Sequence, residues 1–372
     1  MEVGSSYESV VVVSERAACG KVTKQRLDVN QPELRNALVF SELAGAGAVR
    51  VVVPVRRNEK EGDDEALGEA VQLGVISAAR VSFHQTVWQE WRAAPSPEAS
   101  FASDETKDRS GVVPNFFVRS RPGPTASWAR KLAYHATDTF TPVYEDTYLQ
   151  MIDDCDVVRA AVDHVSNTQG MLPKFAYALT VYPGHHASAD QYGGYCFVNH
   201  AVLAVKMLAS KGFSPMLVDV DYHAGDGSAA LLLGDERAQD DGAGHSSTFL
   251  SLHAPQDYPY VDSSAEGPAR TWTVPLPPGC TGEAYCALLE GALAARKPES
   301  CTALVVSLGF DCLAGDPCAT PGHATALDPV DFASIRKVLQ RHFHGLPMLV
   351  VQEGGYALEL IPRAARHFWD GA

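Results

Sequence analysis

Met216-Leu217-Val218-Asp219-Val220-Asp221-Tyr222-His223 is an apolar run that ends in acids and a histidine, and Ala224-Gly225-Asp226-Gly227 follows it directly. Read as a strand, its side chains alternate, so Asp221 and His223 point the same way at its carboxyl end. A carboxylate and an imidazole one strand repeat apart suit a zinc-like metal. The glycines after them permit a sharp turn and close backbone approach. Ionisable groups at the end of a hydrophobic strand are costly to bury unpaired. A metal is the most economical explanation.

The same rhythm recurs along the chain. Val10–Val13, Val49–Val53, Ala176–Val181, Met216–Val220, Thr248–Leu252, Ala303–Leu308 and Met348–Val351 read as strands. Several are apolar on both faces, as in a parallel sheet covered by helices on each side. Asn199–Lys211 reads as a helix, with Ala201, Val202, Val205 and Leu208 on one face and Gly212 just past its end. Pro142–Val165, Gly282–Arg296 and Pro329–Phe343 read as further helices. The expected class is α/β, an open parallel sheet flanked by helices on both faces. Arg56–Glu65 reads as a charged surface loop. Pro95–Thr125, rich in Ser, Pro, Asp and Gly, is too long for an ordinary connection and reads as a functional or mobile insertion. The strand–helix pattern resumes beyond both, so residues 1–372 are expected to form one domain.

Composition narrows the function. A formal net charge of -15 without any Lys/Arg-rich tract argues against a nucleic-acid binder. It is compatible with cationic substrates, although acidity also simply solubilises a surface. The 8 cysteines show no zinc-type CxxC pairs, and Cys196, Cys301 and Cys312 lie in or beside apolar segments. They read as thiols in a reducing compartment. Met1–Ser14 has neither the basic region of a signal peptide nor the length of a membrane span. A cytoplasmic location is the expectation, with the nucleus left open.

The unusual residues fall at strand ends. Ala176–Val181 runs into Tyr182-Pro183-Gly184-His185-His186, Ala303–Leu308 into Gly309-Phe310-Asp311, and Met348–Val351 into Glu353-Gly354-Gly355-Tyr356. Each cluster alone has an ordinary explanation: a turn, a helix cap, a glycine after a strand. Together with Asp221 and His223 they give four strands with polar or glycine-rich ends. In open α/β sheets the site lies at the carboxyl edge. A site is therefore expected there.

These segments resemble the zinc-dependent deacetylases of the arginase/deacetylase fold, which include histone deacetylases and acetylpolyamine amidohydrolases. The resemblance rests on Pro183–Ala187, Gly193–Asn199, Asp219–Gly227, Ser251–His253, Leu308–Asp311 and Glu353–Tyr356, in the family's order. Trp88–Ala94, Phe117-Val118-Arg119 and the insertion at 95–125 look like the acetylpolyamine amidohydrolase branch, where the insertion helps form a homodimer and narrows the mouth. The resemblance implies that Asp221, His223 and Asp311 hold zinc, leaving a position open for water and the amide carbonyl. It makes His186 the general base and acid with Asp226 orienting it, pairs His185 with Asp219, and makes Tyr356 the donor to the oxyanion. Tyr195 and Tyr258 match tunnel-lining aromatics, and the Asp219 and Ser251 regions match a monovalent-cation site such as one for K+. A site of two carboxylates and a histidine also accepts ferrous iron. The sequence departs from the family pattern at Ala224, where a second histidine is usual, and at Asp226, where the amidohydrolase branch often has Asn.

The resemblance implies hydrolysis of a small acetylated amine of the acetylpolyamine class, with release of acetate. Within Ala126–Thr139, where that branch carries acids at the tunnel mouth, the only acid is Asp138. It can pair with a distant substrate ammonium or be a surface charge. A protein lysine deacetylase is the near alternative. A pocket without chemistry and an arginase-like two-metal hydrolase are the remote ones, because the ligands, both histidines and the tyrosine are all present.

Overall fold

The apolar runs do become strands, and side-chain alternation divides their residues between two cores. The computed structural model describes residues 8–15, 32–53, 65–94, 111–123, 125–167, 172–238, 248–260 and 271–371. In chain order the elements are β1 (Glu8–Ser14), α1 (Pro32–Gly45), β2 (Val49–Val53), α2 (Glu65–Gln72), α3 (Ala78–Ala93), α4 (Trp128–His135), α5 (Thr147–Ser166), β3 (Lys174–Leu179), α6 (His200–Ser210), β4 (Pro215–Asp219), α7 (Asp226–Ala238), β5 (Thr248–His253), β6 (Thr271–Pro275), α8 (Gly282–Arg296), β7 (Ala303–Leu308), α9 (Asp331–His342), β8 (Met348–Gln352) and α10 (Ile361–Asp370). The strands form one 8-stranded sheet in the order β2-β1-β3-β8-β7-β4-β5-β6. Every pairing between neighbours in it is parallel.

On one face Val10, Val12, Ala176, Ala178, Leu217, Val305, Leu349 and Val351 pack with Leu67, Val87, Val158 and Leu203 from α2, α3, α5 and α6. On the other, Val11, Val13, Tyr177, Leu179, Met216, Val218, Leu304, Val306 and Val350 pack with Val39, Leu289, Leu339 and Phe368 from α1, α8, α9 and α10. Burying one such side chain stabilises the fold by about 1.5–3 kcal/mol, so the central strands are fixed from both sides. This is the expected α/β layering.

Several boundaries differ from the sequence reading. β3 starts earlier than Ala176 and stops at Leu179, because Thr180–Tyr182 have left the ladder to enter the site. α5 starts at Thr147 rather than Pro142. Val143 instead pairs antiparallel with Val112, and the Tyr144 N–H donates to Thr147 Oγ1 at 2.9 Å. β6 was not expected; it is a five-residue strand that, among the described residues, pairs only with β5. α6 matches closely: the Asn199 side chain accepts from the Val202 N–H at 3.0 Å, and Gly212 beyond it has φ +88°. Much of the insertion expected at 95–125 (95–110 and 124) and of the surface loop (56–64) lies outside the described residues. Among the described residues no helix is long and apolar enough to cross a membrane.

Strand order is what builds the site. The strands that run into polar clusters, β3, β8, β7 and β4, are contiguous at the centre of the sheet. The crossover from β3 through α6 to β4 passes over β8 and β7, leaving a crevice at their carboxyl ends.

Candidate active site

β4 and β7 deliver Asp221, His223 and Asp311 to one buried point, where ligand atoms from the three lie within 4.8 Å of one another. His223 Nδ1 is 2.8 Å from Asp311 Oδ2 and 3.4 Å from Asp221 Oδ1. Backbone donors fix the carboxylates: Asp221 Oδ2 accepts from the Gly354 N–H at 2.9 Å, and Asp311 Oδ1 from the Tyr222 N–H at 2.9 Å. A Cβ on Gly309 would collide with the Asp221 carboxylate, so the β7 loop closes over it only with glycine there. Burial and the Asp221 charge push the Asp311 carboxyl up, to about 7. Burial opposes ionisation of Asp221 too, but His185 and His223 hold it well below the usual carboxylate range. None of these contacts involves a lysine or arginine. Two buried carboxylates and an imidazole converging in this way fit a divalent cation in chemistry and arrangement.

Beside this point, His185 and His186 follow β3. His185 Nδ1 lies 3.0 Å from Asp219 Oδ2, and its Nε2 is 3.7 Å from Asp221 Oδ1. Against the effect of burial, Asp221 and Asp219 push the His185 imidazole well above its ordinary value, favouring the charged form. His186 Nδ1 lies 2.7 Å from Asp226 Oδ1, at the start of α7. Burial, with His185 next to it, pulls His186 down to about 4, so it is a neutral base near pH 7. The rings of the two are 4.0 Å apart, yet their surroundings drive their proton affinities in opposite directions.

Tyr356 comes from the loop after β8. Its N–H and that of Ala357 donate to Asp316 Oδ2 at 2.7 and 2.9 Å. Burial, with a contribution from the Asp311 and Asp221 charges, raises its hydroxyl well above the ordinary value, so it carries its proton at neutral pH.

Residues 99–372 match the histone deacetylase domain. The chain belongs to the histone deacetylase family. Acetylpolyamine amidohydrolase 1 of Pseudomonas aeruginosa is 31% identical over 303 residues, 79% of this chain and 80% of that protein. The acetylpolyamine amidohydrolase of Burkholderia pseudomallei is 28% identical over 359 residues, 94% of this chain and 92% of that one. A crystal structure of an acetylpolyamine aminohydrolase from Burkholderia pseudomallei superposes with a TM-score of 0.75 at 26% identity, covering 94% of this chain and 92% of the other. The protein is thus a metal-dependent hydrolytic deacetylase.

In this deacetylase Tyr195 and Tyr258 flank the crevice. The Tyr195 ring is 5.9 Å from that of Tyr356, and Tyr258 is 4.9 Å from His186. Asp138 is redirected. It is 6% exposed, and its oxygens accept from the N–H groups of Phe140, Thr141 and Gly194 and from Thr141 Oγ1, at 2.6–2.9 Å. A carboxylate so occupied holds its own loop and does not present itself to a substrate ammonium. Of the two readings left open for Asp138, burial argues against a surface charge and these bonds against pairing with a distant cation.

Sequence reading assigned no role to the supports of the site. Glu353 Oε2 accepts from the Gly184 and His185 N–H groups, at 2.5 and 3.1 Å, and Oε1 from Ser307 Oγ at 2.9 Å. Glu353 also belongs to a second buried group of potential ligands with His185 and Cys196, but these bonds already occupy both its oxygens. Asp154 of α5 accepts from the Val181 and Tyr182 N–H groups at 2.8 and 3.1 Å, fixing the chain as it leaves β3. Arg35 of α1 donates to the Val181 and Gly355 carbonyls at 3.0 and 3.5 Å. Asp154 carried one usable signal: an acid on the buried face of an apolar helix, one turn from Gln150, which donates to it at 2.9 Å.

Proposed function

We propose that this deacetylase hydrolyses small acetylated amines of the acetylpolyamine class, releasing acetate, with zinc held by Asp221, His223 and Asp311. The observation that carries the reading is the convergence of those three side chains beside two histidines of opposed proton affinity. When bound there, zinc supplies Lewis acidity that polarises the acetyl carbonyl and acidifies water. His186, kept neutral by burial, takes the proton from the attacking water at Nε2 while Asp226 holds Nδ1. The same nitrogen then returns that proton to the departing amine. His185, kept charged by Asp221 and Asp219, stabilises negative charge developing on the acetyl group. Tyr356 donates its hydroxyl proton in a hydrogen bond to the oxyanion, from a backbone anchored by Asp316.

The small-amine preference is supported by relatives named as acetylpolyamine amidohydrolases. Asp219 and Ser251 face each other in register across β4 and β5, which supports a structural monovalent cation there. Free thiols, including buried Cys155, Cys196 and Cys312, suit a reducing cytoplasm. The deciding experiment compares turnover of acetylated diamines with that of an acetyl-lysine peptide by the zinc-loaded enzyme. Higher kcat/KM on the diamine is expected, and higher kcat/KM on the peptide overturns the substrate reading.

A further inference from the structure

Aromatic rings run from the floor of the crevice to the surface along two walls. On one wall His186 leads to Tyr258 (4.9 Å between centroids) and on to Phe140 (5.6 Å). On the other Tyr356 leads to Tyr195 (5.9 Å) and again to Phe140 (5.7 Å). The walls therefore meet at Phe140, whose ring is inclined by 72° to Tyr258 and by 64° to Tyr195. Tyr258 and Tyr195 flank the buried chemistry, while Phe140 is 45% exposed. A phenylalanine left this open, at the outer end of a continuous set of rings, is positioned to contact the part of a substrate that projects outward.

Its position is fixed. The Phe140 N–H donates to Asp138 Oδ1 at 2.9 Å. The other oxygen of Asp138 binds Thr141 Oγ1, which in turn accepts from the Tyr195 N–H at 2.9 Å. One buried carboxylate thereby sets both Phe140 and Tyr195, the latter with φ +65° in the left-handed region. Asp138 thus acts on the mouth as a positioning residue without contacting the substrate.

We propose that Phe140 closes an aromatic collar with Tyr195 and Tyr258 that selects substrates carrying an alkylammonium beyond the acetamide, recognised through the ring faces. The inference rests on the small-amine reading above and supplies the cation recognition that Asp138 does not. Electron-rich faces attract an ammonium, and the attraction grows as water is excluded. The local field has the same sign. Burial raises the Tyr258 hydroxyl well above its ordinary value, and the charges of Asp138 and Asp226 raise it further. The net charge of -15 also favours the approach of cations. Phe140 is the outermost of these rings, so its contribution is to binding, felt in KM with kcat little changed.

The test uses the full-length zinc enzyme and two substrates of equal length: N-acetyl-1,4-diaminobutane, which is cationic, and N-pentylacetamide, its neutral counterpart. Phe140→Leu keeps apolar volume and removes the ring, while Phe140→Tyr keeps the ring. Phe140→Leu is expected to raise KM for the cationic substrate about five- to tenfold and to change KM for the neutral one less than twofold. Phe140→Tyr is expected to behave as wild type, and unchanged circular dichroism and Tm exclude a folding defect. Equal KM effects on both substrates, or no effect on either, overturn the collar while the deacetylase reading stands. Wild-type enzyme that cleaves an acetyl-lysine peptide but neither small amide overturns the small-amine reading and the collar with it.

Discussion

Two buried polar clusters in this molecule are built on opposite terms. At the carboxyl ends of the central strands, the ionisable groups are paired: His185 with Asp219, His186 with Asp226, His223 with Asp311, and Glu353 with backbone amides. Beneath α3, Arg80 and His84 pack near His135 and Tyr192 with far fewer partners. Arg80 Nη1 donates to the Gln191 carbonyl, but its Nε and Nη2, both His84 nitrogens and the Tyr192 hydroxyl find none among the described residues. Burial pulls Arg80 down to about 9 and, with Arg80 and His135 adding repulsion, pulls His84 well below its ordinary value. The first cluster keeps charges beside the proposed reaction centre. The second drives its groups toward neutrality, because burial there outweighs the compensating charge of Asp190.

That contrast can be broken at several depths. The largest effect is expected from Asp221→Asn, which removes from the first cluster a carboxylate proposed to hold the metal. Metal content should fall from about one zinc per chain toward none, and turnover by about a thousandfold or more, checked by elemental analysis and steady-state kinetics. Next comes Tyr356→Phe, expected to lower kcat by about a hundred- to a thousandfold with zinc content unchanged. Full activity in that variant would remove Tyr356 from the reaction.

The second cluster is probed by pH. His84, and His200 with a pKa near 3 through burial, are neutral in the folded chain. Below about 6.5 the unfolded chain binds protons that these folded sites refuse. Their contribution to stability is therefore complete above pH 6.5 and is lost as pH falls toward the folded values. The loss is at most about 1.4 kcal/mol per pH unit for each histidine. Replacing His84 with Leu should flatten the fall of Tm between pH 6.5 and 4.5; an unaltered slope would show that His84 already takes up its proton in the folded state. The smallest effect belongs to the solvent-exposed pair Arg366–Asp370 on α10. Asp370→Ala should change unfolding free energy in urea by less than about 0.5 kcal/mol.

Much of the central sheet was legible because β3, β4, β7 and β8 are apolar on both faces, and no solvated strand or short surface helix reads that way. β6 escaped notice because an edge strand needs neither length nor two apolar faces. α1 and α3 escaped because each buries arginine, asparagine or histidine, which blurs the apolar periodicity. Asp221 and His223 were legible as candidate metal ligands from their spacing and Asp311 from the family resemblance, and strand order brings the three together. Asp138 was misjudged because its role depends on amides of Phe140, Thr141 and Gly194, contacts that only the folded loop creates. Phe140 had no signal at all, since an aromatic in a polar loop gains meaning only from the rings beside it.

The central position of β8 has a consequence for how this protein comes to exist. β8 separates β3 from β7, yet it is nearly the last element in the chain. During synthesis, β1, β3, β4 and β7 emerge while the slot between β3 and β7 stands empty. The Gly354 amide that steadies Asp221 and the Glu353 carboxylate that steadies His185 arrive only with the closing segment. Long-range parallel pairing of this kind is slow to form. The backbone donor that steadies one of the proposed metal ligands therefore joins the site only when the sheet closes. A chain halted before Met348 would lack Glu353, Gly354 and Tyr356, so the site as proposed is complete only at the final step of folding.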